Sequence, residues 1–181
     1  MKLCLDACTL YPTVLREIVM GAADAGLITP IWSARIFEEW ARAALKNGGA
    51  GDETIARGEI AMLRATYPEA EIAYAPALEA QLWLPDPNDI HVLASAIAGE
   101  AEAILTLNLK DFPRRELEGH ALQALHPDAY LYGLWMDHPA KIEQITRAVH
   151  HRFESLAGQT MSLRALMKRA RLPRLGKALD S

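Results

Sequence analysis

Short apolar runs bounded by turn formers alternate along the chain with longer stretches whose apolar residues recur every three or four positions. The first run, Leu3–Cys4–Leu5, stops on the carboxylate of Asp6 and predicts a buried strand. Residues 12–27 have helical spacing, with Pro12 suited to a first turn. "ITPIW" (28–32) predicts a second strand. Ser33 is placed to cap a helix over "ARIFEEWARAALKN", which stops at Gly48 and Gly49. On its wheel Phe37, Trp40, Ala41, Ala44 and Leu45 form the buried stripe, with Glu38 at the flank and Glu39 on the opposite side. Residues 52–66 predict another helix, and "AEIAYA" (70–75) a third strand.

Asp86 reads as the N-cap, and Pro87 as the first residue, of a helix "IHVLASAIAGE". Its stripe is Ile90, Leu93, Ala94 and Ile97, and Gly99 closes it. Residues 102–107 predict a fourth strand and 121–125 a fifth, and everything after Pro127 has helical character. Strands alternating with helices predict an α/β layered domain with a mainly parallel sheet. Ligands of such sheets sit beyond the carboxyl ends of the strands, where Asp6, Asn108 and Asp111 fall. The expected division is a sheet-bearing domain over 1–126 and a helical extension over 127–181.

Composition narrows the class. The chain has 181 residues, 51% hydrophobic and 23% charged, which excludes a disordered chain and suits one domain with a small appendage. No apolar stretch approaches the roughly 20 residues needed to span a bilayer, and no signal-peptide core follows Lys2. The expectation is a cytoplasmic protein without membrane contact. Cys4 and Cys8 have no second pair to complete a zinc site and read as small core residues. The net charge of −4 is unevenly spread: residues 1–138 carry −10 (10 Lys+Arg against 20 Asp+Glu) and residues 139–181 carry +6 (9 against 3).

Candidate chemistry lies in the acids near the strand ends: Asp6, the Glu38–Glu39 pair, the Asp86–Asp89 pair, and Asp111. Two ionised carboxylates about 4 Å apart repel by roughly 4 kcal/mol at an effective dielectric near 20. Several converging acids would oppose folding unless a divalent cation offset them, and Mg²⁺ or Mn²⁺ prefers carboxylate and water oxygens. Each acid also has a plain structural role open to it. Asp6 could cap a turn, Glu38 and Glu39 could be solvated, Asp86 could be an N-cap, Asp89 could favour the helix dipole, and Asp111 could begin the turn into Phe112–Pro113. His91 could reach the site or be a core residue, and His150–His151 reads as a solvated pair.

The segments "LDACTLYP", "WSARIFEEW" and "PDPNDIHVLASAIAGEAEAILTLNLKDFP" occur in this order and resemble the successive motifs of PIN-domain nucleases, most closely the VapC-like toxins of bacterial toxin–antitoxin pairs. The resemblance spans roughly residues 2–125. It implies an α/β/α sandwich with a central parallel sheet, and a metal-dependent endoribonuclease using Mg²⁺ or Mn²⁺. It also implies an RNA substrate, a cognate antitoxin and a possible homodimer. By the same resemblance Asp6, Glu39, Asp89 and Asp111 are the metal-binding and catalytic acids. Thr9, Asp86, Thr106 and Asn108 are candidates for supporting or substrate contacts. Cys8 departs from the asparagine that many relatives carry two residues after the first aspartate.

Two other functions compete. One is a PIN-like nucleic-acid or protein-binding module with weak or no catalysis. The other is a phosphatase using Asp6 as nucleophile, but Cys8 replaces the second aspartate that it needs. In the basic tail, Leu163, Leu166, Met167 and Ala170 make an apolar stripe and Arg164, Lys168 and Arg171 a basic face. That face could bind RNA phosphates, dock an antitoxin helix, or be solvated.

Overall fold

The computed structural model describes residues 1–180. In chain order its main elements are β1 (Lys2–Leu5), α1 (Ala7–Leu10), α2 (Thr13–Asp24), β2 (Thr29–Ile31), α3 (Ala34–Gly48), α4 (Ala50–Thr66), α5 (Pro76–Glu79), α6 (Ile90–Ala98), β3 (Ala103–Leu105), α7 (Arg114–Glu118), β4 (Gln123–Leu125), α8 (Pro127–Asp137), α9 (Pro139–Ala157), α10 (Leu163–Arg169) and α11 (Pro173–Ala178). Short 3₁₀ turns cover Pro87–Asp89 and Leu109–Asp111. No described helix is long and apolar enough to cross a membrane.

The chain separates into two compact units. The first comprises residues 1–11 and 29–125, the second residues 12–28 and 126–181. In the first unit four strands form one sheet in the order β2-β1-β3-β4, every neighbouring pair parallel. This is the α/β class with a central parallel sheet that the alternation of patterns predicts. Leu3, Cys4, Leu5, Ala103, Ile104 and Leu105 are all fully buried, as strands covered on both faces must be. Helix α6 packs on β1 and β3. The connections from β1 run to β2 on one side and, later in the chain, to β3 on the other. A switch point therefore opens between the carboxyl ends of β1 and β3.

Three expectations change. Residues 70–75 do not form a strand and contribute only a parallel bridge between Trp32 and Glu71. Trp32 N–H donates to Ala70 O at 3.0 Å and Ile72 N–H to Trp32 O at 2.7 Å. The pairing falls just beyond the end of β2, where Ser33 already turns the chain into α3, so the ladder has nowhere to continue.

In α3 the cap is as expected, Ser33 accepting from Ile36 N–H at 3.4 Å. The stripe, however, is turned by part of a residue. Ile36, Phe37, Trp40, Ala41 and Ala44 are buried, and Leu45 is exposed. Trp32 packs against Phe37 with tilted ring planes and centroids 5.0 Å apart, which accords with this rotation of the helix. Glu39 consequently follows the buried Ile36 by one turn rather than pointing away from the core.

In the second unit α8, α9, α10 and α11 bear out the helical reading of residues after Pro127. The basic face is not continuous, because α10 ends at Arg169 and Arg171 takes a left-handed conformation (φ 63°). Pro173 prevents the helix from continuing. Arg164 is paired with Asp180 at 3.3 Å, while Lys168 and Arg171 are exposed.

Candidate functional site

Asp6 is the first residue past β1, and its backbone N–H still donates to Leu105 O at 3.2 Å. Its side chain is buried, and it accepts two hydrogen bonds on one oxygen. Thr106 Oγ1 donates to Oδ2 at 2.7 Å and Cys8 Sγ at 3.0 Å. Thr106 is the first residue past β3, the strand next to β1, so the parallel register itself brings the pair together across 100 positions of sequence. Thr106 Oγ1 in turn accepts from Asn108 N–H at 3.0 Å, and Cys8 Sγ accepts from Leu107 N–H at 3.2 Å. Two backbone amides thus polarise the donors that hold Asp6. Among the described residues both hydrogen bonds to the Asp6 carboxylate fall on Oδ2, which leaves Oδ1 for other work.

Cys8 is therefore not the plain core residue expected from its sequence. Burial, followed by the charge of Asp6, pushes its thiol up to about 12. It remains protonated near neutrality and acts as a donor. Only its position two residues after Asp6 hinted at this. Cys4 is a core residue as expected.

Asp89 ends the 3₁₀ turn that leads into α6. Desolvation first, then the charges of Asp6, Asp86, Asp111 and Glu39, raise its pKa to about 7. The acids singled out in four separate stretches of sequence are thus close enough to press on one carboxyl. Asp86 is also the expected cap, its Oδ1 accepting from Asn88 N–H and Nδ2 at 2.9 Å each. Asp111 accepts from Asn108 Nδ2. Asn108 therefore orients an acid through its side chain and bonds Thr106 through its backbone.

The paired glutamates part company. Glu38 faces Arg57 at 3.2 Å and Arg42 at 3.6 Å, and the Arg57 hydrogen bond holds its carboxyl below the usual range. It belongs to a surface ion-pair group. Glu39 Oε1 lies 2.9 Å from Nε2 of His91 on α6. Thr9 is fully buried and donates to Leu105 O at 3.0 Å, tying α1 to β3 rather than facing a ligand. Among the described residues, no Lys or Arg forms a salt bridge with Asp6, Glu39, Asp89 or Asp111.

No three His, Cys, Asp or Glu side chains among the described residues already stand as a ligand cluster around one point. Asp6, Glu39, Asp86 and Asp111 each act electrostatically on the Asp89 carboxyl. An all-oxygen set of acids of this kind suits a hard cation that keeps part of its water shell, as Mg²⁺ does. The chemistry of the donor set therefore fits a divalent ion, although a closed cage is not preformed.

The raised pKa of Asp89 has a consequence for stability. Its folded value lies above the unfolded value of about 4, so the folded chain binds the extra proton between those limits. Stability from this group is greatest below about pH 4 and is lost as the pH rises through about 7. After allowance for solvent screening at a half-buried group, the loss is on the order of 1–2 kcal/mol. Urea titrations at pH 4.5 and 7.5 should show it in the wild type, and Asp89→Asn should reduce the difference. An equal pH response in both proteins would refute the assignment.

The PIN-domain family model matches residues 2–110 of the chain. A protein of Mycobacterium tuberculosis (strain ATCC 25618 / H37Rv) named "Putative ribonuclease VapC50" is 44% identical over 62 residues. The aligned part covers 34% of this chain and 34% of that protein, so the match spans about a third of the relative's length. No solved structure matches the chain.

Proposed function

This chain belongs to the PIN-domain family, and on that premise we propose that it is a divalent-metal-dependent endoribonuclease, the toxin of a toxin–antitoxin pair. The observation that carries this reading is the carboxyl of Asp89, raised to about 7 in the company of Asp6, Asp86, Asp111 and Glu39. The similarity to a protein named as a ribonuclease supports RNA as the substrate class.

Asp6, Glu39, Asp89 and Asp111 would hold Mg²⁺ or Mn²⁺, directly or through water. A bound ion supplies an activated water and neutralises charge developing on the phosphoryl oxygens. The chain's own residues do the rest. Thr106 and Cys8 fix Asp6 through Oδ2, so its orientation is set before any ligand arrives. Asn108 fixes Asp111. Asp89 or Asp111 orients the attacking water by accepting its hydrogen bond. Hydrolysis by this route requires no Ser or Cys nucleophile, which agrees with a Cys8 thiol held protonated.

The test is cleavage of a defined single-stranded RNA across a Mn²⁺ and Mg²⁺ titration. Cleavage that follows the ion and stops in excess EDTA supports the reading. Cleavage that persists in EDTA rejects the role of the ion. A binding module without catalysis is the second reading, favoured by the absence of a preformed ligand cluster among the described residues. It predicts RNA binding without cleavage at any ion concentration. The proposed protein partner is a cognate antitoxin, whose addition should suppress cleavage.

Lys168 and Arg171, exposed beside the end of α10, are proposed to contact the RNA backbone. Removing residues 161–181 is a poor test, because it would delete the buried Leu166, Met167, Leu172 and Leu175 from the second unit. The variant Lys168→Ser with Arg171→Asn removes both charges, and Asn tolerates the left-handed backbone at 171. The slope of log affinity against log salt should fall in magnitude by about 1.4 for single-stranded RNA. An unchanged slope would remove these residues from the interface.

A further inference from the structure

His91 lies in the first turn of α6, two residues after Asp89, and its side chain is completely buried. Its Nε2 is 2.9 Å from Glu39 Oε1. The distance is that of a hydrogen bond, but the ring is not aimed along the line. Among the described residues neither ring nitrogen has an aligned partner. A buried imidazole in this condition sits beside one acid that is free to complete the bond. Glu79, whose carboxyl also feels the His91 charge, is already held by Tyr74 at 2.7 Å and by Arg35 at 2.9 Å. Among the described residues Glu39 has no such partners, and about a third of its side chain is exposed, so its carboxylate can turn.

We propose that His91 is a positioning residue for Glu39, its Nε2–H donating to Oε1 and leaving Oε2 for the set of acids. The inference rests on the proposed ion-binding role of that set. His91 is well placed for the task because its own backbone is fixed: Ser95 Oγ donates to His91 O at 2.6 Å within α6. The same short segment therefore supplies Asp89 directly and steers Glu39, which belongs to α3, through His91. Carboxylate ligands held by such a partner bind their ion more tightly, because the orientation no longer has to be selected on binding.

The experiment is a calorimetric Mn²⁺ titration of the full chain in the wild type, His91→Leu, His91→Gln and Glu39→Gln, with the double variant His91→Leu/Glu39→Gln. Leu keeps the apolar bulk without a donor, and Gln restores an N–H at similar reach. His91→Leu should weaken Mn²⁺ binding by about 10-fold to 100-fold, and His91→Gln should return it to within about threefold of the wild type. In the Glu39→Gln background, His91→Leu should have no further effect. Wild-type affinity in a folded His91→Leu protein would overturn the proposal, and so would an equal loss from His91→Leu with and without Glu39. If His91→Leu does not fold, His91→Gln decides alone: retained affinity supports the role and a tenfold loss overturns it. A wild type that binds no Mn²⁺ would overturn the ion-binding reading itself, and the positioning role with it.

Discussion

Exchanging Asp6 or Asp89 for Asn is expected to lower Mn²⁺-dependent RNA cleavage by about a hundredfold or more, with the fold intact. Asn preserves the shape of each side chain and removes one negative charge. At Asp6 the amide oxygen can still accept from Thr106 and Cys8, so the structural role seen in those two bonds survives. What is lost is an anionic oxygen of the acid set. At Asp89 the change removes the carboxyl on which four other acids press. The two variants should therefore differ in stability. Asp89→Asn relieves repulsion and should melt at or above the wild-type temperature near pH 7.5, whereas Asp6→Asn should be close to neutral. Loss of cleavage together with retained or higher stability would be the mark of groups kept for an ion rather than for the fold. Undiminished cleavage in both variants would end the nuclease assignment to these acids.

The largest expected effect on stability lies in the second unit. Asp128, with 8% of its surface exposed, accepts from the backbone N–H of Arg174 at 2.9 Å through Oδ2 and from that of Leu175 at 3.0 Å through Oδ1. Helix α11 starts at Pro173 after an N-cap leucine, which has no side-chain acceptor to offer. Its second and third residues are capped instead by an acid 46 and 47 positions earlier in the chain. Asp128→Ala strands two amides in a largely buried place and should cost about 3 kcal/mol. In a chain of this size that corresponds to a fall of about 6–12 °C in melting temperature. Asp128→Asn keeps one good acceptor and should cost about half as much. Differential scanning calorimetry of the three proteins checks the order, and an alanine variant that melts with the wild type would show that water replaces the carboxylate at no cost. RNA cleavage by the surviving folded fraction should be unchanged, since the set of acids belongs to the other unit.

Much of this was written locally in the sequence. The periodicities at residues 12–27 and 34–47 require only that an amphipathic stretch bury its apolar side, so the helices there were legible. Residues 90–98 are helical as expected, but burial runs unbroken from His91 to Ala96, and Ile90 and Ile97 of the expected stripe are only half-buried. Ser33 and Asp86 cap because a short polar side chain before a helix can reach the free amides two or three residues ahead, and both do so. The failures also have local causes. Residues 70–75 alternate like a strand, but a ladder needs a partner of matching length, and β2 ends too soon. The basic tail was expected as one helical face, although Pro173 was visible in the sequence and marks where such a face must break.

By itself, the sequence determined the element types, the parallel α/β class and the acids at strand and helix ends, because these follow from short-range sterics, capping and the burial of apolar surface. Tertiary structure alone decided which of those acids meet. The register of β1 against β3 puts Thr106 on Asp6, and the packing of α3 sets Glu39 beside His91 and Glu38 beside Arg57. The Asp6–Thr106 and Glu39–His91 contacts join residues about 100 and about 50 positions apart, which no local pattern encodes.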